Sequence, residues 1–279
     1  MIELKNSGLP LYMDEASGML TIGGSLKYGG YSRKTAGQMT GLLMDETGLT
    51  DRAGEAFYDV YRDIAFPQDQ PLLQSHQYRY DITIVMPGLI GGECKKTSGH
   101  YHGWTPEKKN TYAEVYEVLK GTALYVLQKS PNFDDPDPGQ AKVEDLILVT
   151  VPEGRTLLVP PDYGHCSVNI GSGPLVFSNL AYVPCPIHYD PVRHYHGMGV
   201  YISRGSEGIS FAYNKRYSNL PAARFATVKD NPDFGIREGL PVYKSFCETP
   251  EAFDFLAHPD NYTDEIMQML MWHDCLVQP

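Results

Sequence analysis

The sequence predicts a mainly β protein: a small barrel with peripheral helices and a partly helical C-terminal extension. Three observations lead there. From Phe57 to about Ala212, short apolar runs alternate with turns at the spacing of an all-β barrel. Within that stretch His100, His102, Glu114 and His165 fall on or just beyond three separate apolar runs, so the strands of a closing sheet would aim them at one mouth. After Arg216 the texture changes, and helix-start residues appear.

Taken in chain order, residues 1–30 are glycine-rich with short extended pieces. Residues 34–44 have helix-compatible spacing through Met39, Leu42 and Leu43, weakened by Gly37 and Gly41. Strands are expected at 80–86, 113–119, 124–128, 145–151, 155–159 and 175–183, and the acidic, turn-rich stretch 131–139 reads as a solvated hairpin loop. Thr249-Pro250-Glu251 starts a helix, with Thr as N-cap and Pro at the first helical position. A second helix is expected over 264–272, with Ile266, Met267, Leu270 and Met271 in one stripe. The expected organisation is a barrel with an N-terminal extension over 1–215, and an extension over 216–279 packed on it or on a partner subunit.

A chain of 279 residues with 42% hydrophobic and 20% charged residues has ample length for a core. Its net charge of −11 and lack of long basic clusters argue against nucleic-acid binding. No apolar run approaches a membrane span, and the first ten residues carry no apolar leader segment. Cys94, Cys166, Cys185, Cys247 and Cys275 are scattered and odd in number, the pattern of reduced thiols in a cytoplasmic protein.

The chemistry lies in the spacing. A His-x-His pair on a strand puts both rings on one face. Glu114 opens the next apolar run, shares a face with Tyr116 and Val118, and is followed by the turn residue Gly121. Three imidazoles and a carboxylate suit Fe, Mn, Ni, Cu or Zn, and the absence of thiolate argues against a closed structural zinc site. Glu107 is the competing carboxylate, but it sits in a polar loop that no strand follows at once.

These spacings resemble the two cupin motifs: His-x-His, then Glu-x6-Gly, and later Gly154-x5-Pro160 with His165 and Asn169. The sequence departs from the common pattern in two ways. Glu107, not Glu114, has the usual distance from the second His, and Asp162 stands where cupins usually carry Gly. Thr97-x-Gly-His-x-His102, Ala113-Glu-Val-Tyr116, Val159-Pro-Pro-x-Tyr-x-His165 and Val168-Asn-Ile-Gly171 narrow the likeness. Together with Phe57-Tyr-Asp-Val-Tyr61, Thr83-Ile-Val-Met-Pro-Gly88 and Ala181-Tyr-Val-Pro184, they are similar to the cupin-type, archaeal-type glucose-6-phosphate isomerase family over about residues 20–235.

The resemblance implies a double-stranded β-helix (jelly-roll) barrel and reversible conversion of glucose 6-phosphate to fructose 6-phosphate, a step of glycolysis and gluconeogenesis. It also implies one divalent metal per subunit, with Fe2+ first and Mn2+, Ni2+ or Zn2+ as alternatives, held by His100, His102, Glu114 and His165. Glu114, Tyr116 and His188 are then the catalytic residues. Tyr58, Thr83, Thr97, Gly99 and Tyr182 bind substrate, with Thr83, Thr97 and Gly99 at its phosphate end. The implied assembly is a cytoplasmic homodimer. Tyr189 or Tyr195 completes the pocket, and His194-x-His196 reads as part of a lid or rim loop. Two other functions use the same barrel and ligands: isomerisation of a different free or phosphorylated sugar, and a non-heme iron dioxygenase.

Overall fold

The apolar runs pair into two facing sheets. The structure, a computed structural model, describes residues 1–278. One sheet comprises Gly30–Thr35 (β1), Ala56–Arg62 (β2), Tyr78–Val85 (β3), Glu114–Lys120 (β4), Thr156–Val159 (β7) and Leu175–Tyr182 (β9), in the order β7-β4-β9-β3-β2-β1. The other comprises Thr122–Lys129 (β5), Asp145–Pro152 (β6), Tyr163–Asn169 (β8), Ala223–Val228 (β10) and Leu270–Val277 (β11), in the order β8-β5-β6-β10-β11.

Alternation decides what each strand buries. Tyr116 and Val118 of β4, Tyr125 and Leu127 of β5, Val149 and Val151 of β6 and Phe177 of β9 meet inside the barrel, none more than 5% exposed. The outer faces are covered as well. Ile82, Val115 and Leu180 pack against Phe246, Phe253 and Leu256 of the C-terminal region. Leu124, Val126 and Leu148 pack with Met39, Leu42 and Met198. Strands buried on both faces read as nearly unbroken apolar runs, which is why 80–86 and 124–128 stand out in the sequence.

Three expected helices are corrected. Residues 34–44 begin as the end of β1 and continue into a 3-10 turn, Ala36–Met39, and Gly41 adopts φ +75°. Residues 264–272 are helical only over Thr263–Met267, after which β11 pairs with β10, because the open edge of β10 offers backbone hydrogen bonds that outweigh a short amphipathic stripe. Pro250–Leu256 is a 3-10 helix, and the Thr249 hydroxyl does not cap it. That hydroxyl donates instead to the Ser245 carbonyl at 3.0 Å, at the end of the helix Val242–Glu248. Residues beyond 215 thus do more than pack on the barrel: β10 adds to β6 in parallel, and β11 follows it.

Glu117 ties the C-terminal layer to the barrel. It points outward from β4, opposite in phase to Tyr116, and is buried under the helix Val242–Glu248. Its Oε2 accepts from the Val242 N–H at 3.1 Å and lies 3.5 Å from Ser178 Oγ. Burial pushes its carboxyl up to about 8. The folded chain therefore holds a proton that the unfolded chain releases near 4.5, and stability falls as pH rises from about 4.5 toward 8. The slope for one proton is about 1.4 kcal/mol per pH unit. Glu117→Gln is expected to match the wild type in thermal melts near pH 5 and to exceed it near pH 8. Parallel melting curves across that range would remove Glu117 as the cause.

Candidate metal and active site

The mouth of the barrel is assembled from three chain segments. His100 and His165 bridge each other through the backbone, N–H to O at 3.1 and 2.9 Å. His102 lies two residues on, so its ring falls on the same side. Gly99 makes the bend before them at φ +76°, where a Cβ would also press on Cys166 and Met198 at 3.3 Å. Glu114 opens β4, with Val159 opposite on β7. The turn before β8 is closed by Asp162 in place of glycine, at φ +72°. Its side chain stabilises that left-handed conformation by accepting the Thr111 N–H at 3.0 Å, and the Thr111 hydroxyl accepts the Asp162 N–H at 2.6 Å. This pair anchors the approach to Glu114.

Four donors converge there: one ligand atom each from His100, His102, Glu114 and His165, all within 4.8 Å of one another. His100 Nε2 and His102 Nε2 are 3.2 Å apart, and Glu114 Oε2 lies 3.2 Å from His102 Nε2 and 3.4 Å from His165 Nε2. Donor atoms at these separations leave room between them for an ion bonded to each at about 2.0–2.2 Å. The tautomer fits too. His102 Nδ1 sits 2.9 Å from the Tyr112 carbonyl, which can only accept, so Nδ1 carries a proton, and Nε2, which faces Glu114, is the nitrogen that would give up its own proton to a metal ion. Burial and the neighbouring His165 and His102 hold the His100 imidazole well below its usual value, hence neutral. Burial raises Glu114, but hydrogen bonds from His102 and His165 outweigh it and keep the carboxyl well below the usual range. A buried carboxylate among imidazoles, with no lysine or arginine on it, is a matched receptor for a divalent cation.

Two side chains orient the carboxylate. Asn179 Nδ2 donates to Glu114 Oε1 at 2.8 Å, and Tyr116 Oη lies 2.9 Å from both Glu114 Oε2 and His165 Nε2. Burial, followed by the charge of Glu114, pushes the Tyr116 phenol well above its usual value, so it is neutral and can donate.

A cavity of about 260 Å³ opens beside these groups. Tyr58, Thr83, Thr97, Gly99 and Tyr182 line it together with Glu114 and Tyr116, whereas Glu107 is exposed in its loop. Thr97 Oγ1 accepts the Ser167 N–H at 3.0 Å, and the Tyr58 hydroxyl is 3.0 Å from Ser98 Oγ. His188 is corrected. It pairs with Tyr101 while Ile187 pairs with His102, so it takes the opposite face and sets its ring edge-on to Phe133 at 5.2 Å. Tyr189 lines the cavity, its ring 5.5 Å from that of His100. Tyr195 is stacked on Tyr217 at 3.9 Å, away from the site. Sequence reasoning missed Asn179, although it lies directly opposite Tyr116 in the register of β4 and β9.

The C-terminal region reaches the site through Asp260. Thr105 Oγ1 and Asn110 Nδ2, both in the loop between His102 and Glu114, donate to its two oxygens at 3.0 and 2.8 Å. Asp260→Ala is expected to destabilise the fold by about 1–3 kcal/mol and to weaken metal binding. Metal titration and thermal melts check both, and an unchanged metal affinity would show that the ligand loop does not depend on this tie.

A barrel whose mouth gathers three imidazoles and a carboxylate defines a cupin with the donors for a transition metal. Residues 32–218 match the family described as Glucose-6-phosphate isomerase. The glucose-6-phosphate isomerase of Thermococcus litoralis is 28% identical over 194 residues, 70% of this chain and 82% of that one. That of Pyrococcus furiosus is 31% identical over 155 residues, covering 54% and 69%. The chain belongs to the glucose-6-phosphate isomerase family. Among solved structures, an oxalate oxidase is similar over 49% of this chain and 56% of its own, at 16% identity and a TM-score of 0.34.

Proposed function

We propose that the chain is a metal-dependent aldose–ketose isomerase that interconverts glucose 6-phosphate and fructose 6-phosphate. The observation that carries this reading is Glu114, an oriented carboxylate at the junction of the donor set and the cavity. A divalent ion held by His100, His102, Glu114 and His165 would supply Lewis acidity toward O1 and O2 of the open-chain sugar. Imidazole and carboxylate donors suit Fe2+, the ion we assign, and also Mn2+, Ni2+ or Zn2+.

The chain's own residues do the rest. Asn179 and Tyr116 fix the two carboxylate oxygens of Glu114. From there Glu114 takes the C2 proton of the aldose and returns it to C1, while the O2 proton passes to O1, a change with no net oxidation. The neutral Tyr116 phenol holds a proton beside those oxygens. Tyr58, Tyr182 and Tyr189 offer hydroxyls to the sugar. Thr83, Thr97 and the backbone at Gly99 bind toward the phosphate end. Binding at that remote group positions the reacting carbons. Thr83→Val is expected to raise KM about fivefold, the worth of one hydrogen bond, with metal content unchanged. A fall in kcat at unchanged KM would move Thr83 away from the remote group.

We further read the chain as a cytoplasmic homodimer. Five free cysteines support the compartment. The edge strand β11, with Met271, Trp272 and Leu276 exposed, supports an assembly. Sedimentation as a stable monomer at micromolar concentration would count against it.

A further inference from the structure

A second chamber adjoins the metal cavity and shares Tyr58, Val60, Arg62, Ser98 and Tyr189 with it. Its remaining walls bring in Lys34 and Arg193. Register explains the gathering. Lys34 lies opposite Tyr58, and Tyr58, Val60 and Arg62 alternate onto one face of β2. Thr83 lies opposite Val60 on β3, so the same face continues into the metal cavity. Arg193 arrives from the other side of the mouth, on the short helix Asp190–His194 that follows Tyr189.

Charge makes this place unusual. The chain carries 34 acidic and 23 basic residues. Nearby Arg33 and Arg79 are neutralised by Asp59 and Asp81, at 2.7 and 2.9 Å. Among the described residues, Lys34, Arg62 and Arg193 have no carboxylate within ion-pair distance, and Arg62 Nη1 donates only to the Ser32 hydroxyl, at 2.8 Å. Three cations without a direct carboxylate partner thus line one chamber of an acidic protein, and the charge of Asp81, already paired to Arg79, also acts on Arg62. Burial, and then the charge of Arg193, lower the Lys34 ammonium, as expected for cations held together without an anion. Thr83, Thr97 and the backbone at Gly99 are neutral and offer hydrogen bonds but no countercharge; Thr97 Oγ1 accepts the Ser167 N–H, which leaves its O–H to donate.

We propose that Lys34, Arg62 and Arg193 form an anion subsite at the mouth of the cavity that takes the phosphomonoester dianion of the substrate. Thr83 contacts the same group from the neighbouring strand, and Tyr189, which lines both chambers, spans from there to His100. The assignment of the anion to a substrate rests on the isomerase reading; the anion site itself does not.

The test therefore has two arms. In the first, inorganic phosphate is titrated by calorimetry into metal-loaded wild type and into the Lys34→Gln/Arg62→Gln/Arg193→Gln variant. The expected result is a loss of affinity of about tenfold or more, with metal content unchanged. In the second, sugar-phosphate turnover is followed against ionic strength. KM is expected to rise by a similar factor with little change in kcat, and the salt dependence of kcat/KM to flatten. Equal phosphate affinity and equal KM in the variant overturn the subsite. Phosphate binding that weakens in the variant, with no turnover in either protein, leaves the subsite standing and removes the isomerase reading. Should Arg62→Gln compromise folding, the Lys34→Gln/Arg193→Gln pair alone is expected to lower phosphate affinity severalfold, and an unchanged affinity overturns the proposal.

Discussion

Glu114→Gln is expected to lower kcat by about 10²-fold or more, the usual worth of a positioned proton-transfer group. The amide keeps the shape of the side chain and can still accept from Asn179. It loses the charge that His102 and His165 face, and its nitrogen meets the Tyr116 hydroxyl and two imidazoles where a carboxylate oxygen stood. Metal affinity therefore falls as well. The two roles separate on titration: if Glu114 moves the proton, kcat stays low when the variant is saturated with metal. Recovery of wild-type kcat at saturating metal would reduce Glu114 to a ligand alone.

His102→Ala is expected to empty the metal site on dialysis and to take turnover with it. Its Nε2 is one of four converging donors, and its ring is held rigid by the Tyr112 carbonyl. Loss of an outer-shell partner typically costs about 10–100-fold in metal affinity, and loss of the ligand itself costs at least as much. His102 is buried, so its removal also leaves a cavity beside Glu114. Metal content by elemental analysis, read beside a melting curve, distinguishes a vacant site from an unfolded protein. A folded variant that keeps one ion per chain and normal turnover would contradict the ligand assignment.

The barrel was legible because its strands are buried on both faces and are separated by turn residues that cannot continue them. His100 and His102 were legible because a two-residue spacing on extended chain has one geometric meaning. Glu114 was separable from Glu107 because only the former opens a strand. Asp162 departs from the motif's glycine for a reason no local pattern carries, because the residue that satisfies it, Thr111, lies 51 residues away. His188 failed for a reason of register: one residue of slip reverses a face, and a resemblance does not carry the pairing of Ile187 with His102. The helical stripe over 264–272 failed because local periodicity says nothing about the open edge of β10. Lys34, Arg62 and Arg193 form a cluster only once β1, β2 and the segment after Tyr189 come together, which no local pattern encodes.

The most direct test of a metal-dependent sugar-phosphate isomerase follows glucose 6-phosphate by NMR under anaerobic conditions, with chelator-stripped and metal-reloaded protein side by side. The reloaded protein is expected to bring glucose 6-phosphate and fructose 6-phosphate to the same equilibrium from either side, and the stripped protein to leave both unchanged. Full conversion by metal-free protein, or no conversion of either hexose phosphate by protein that holds its metal, would contradict the account.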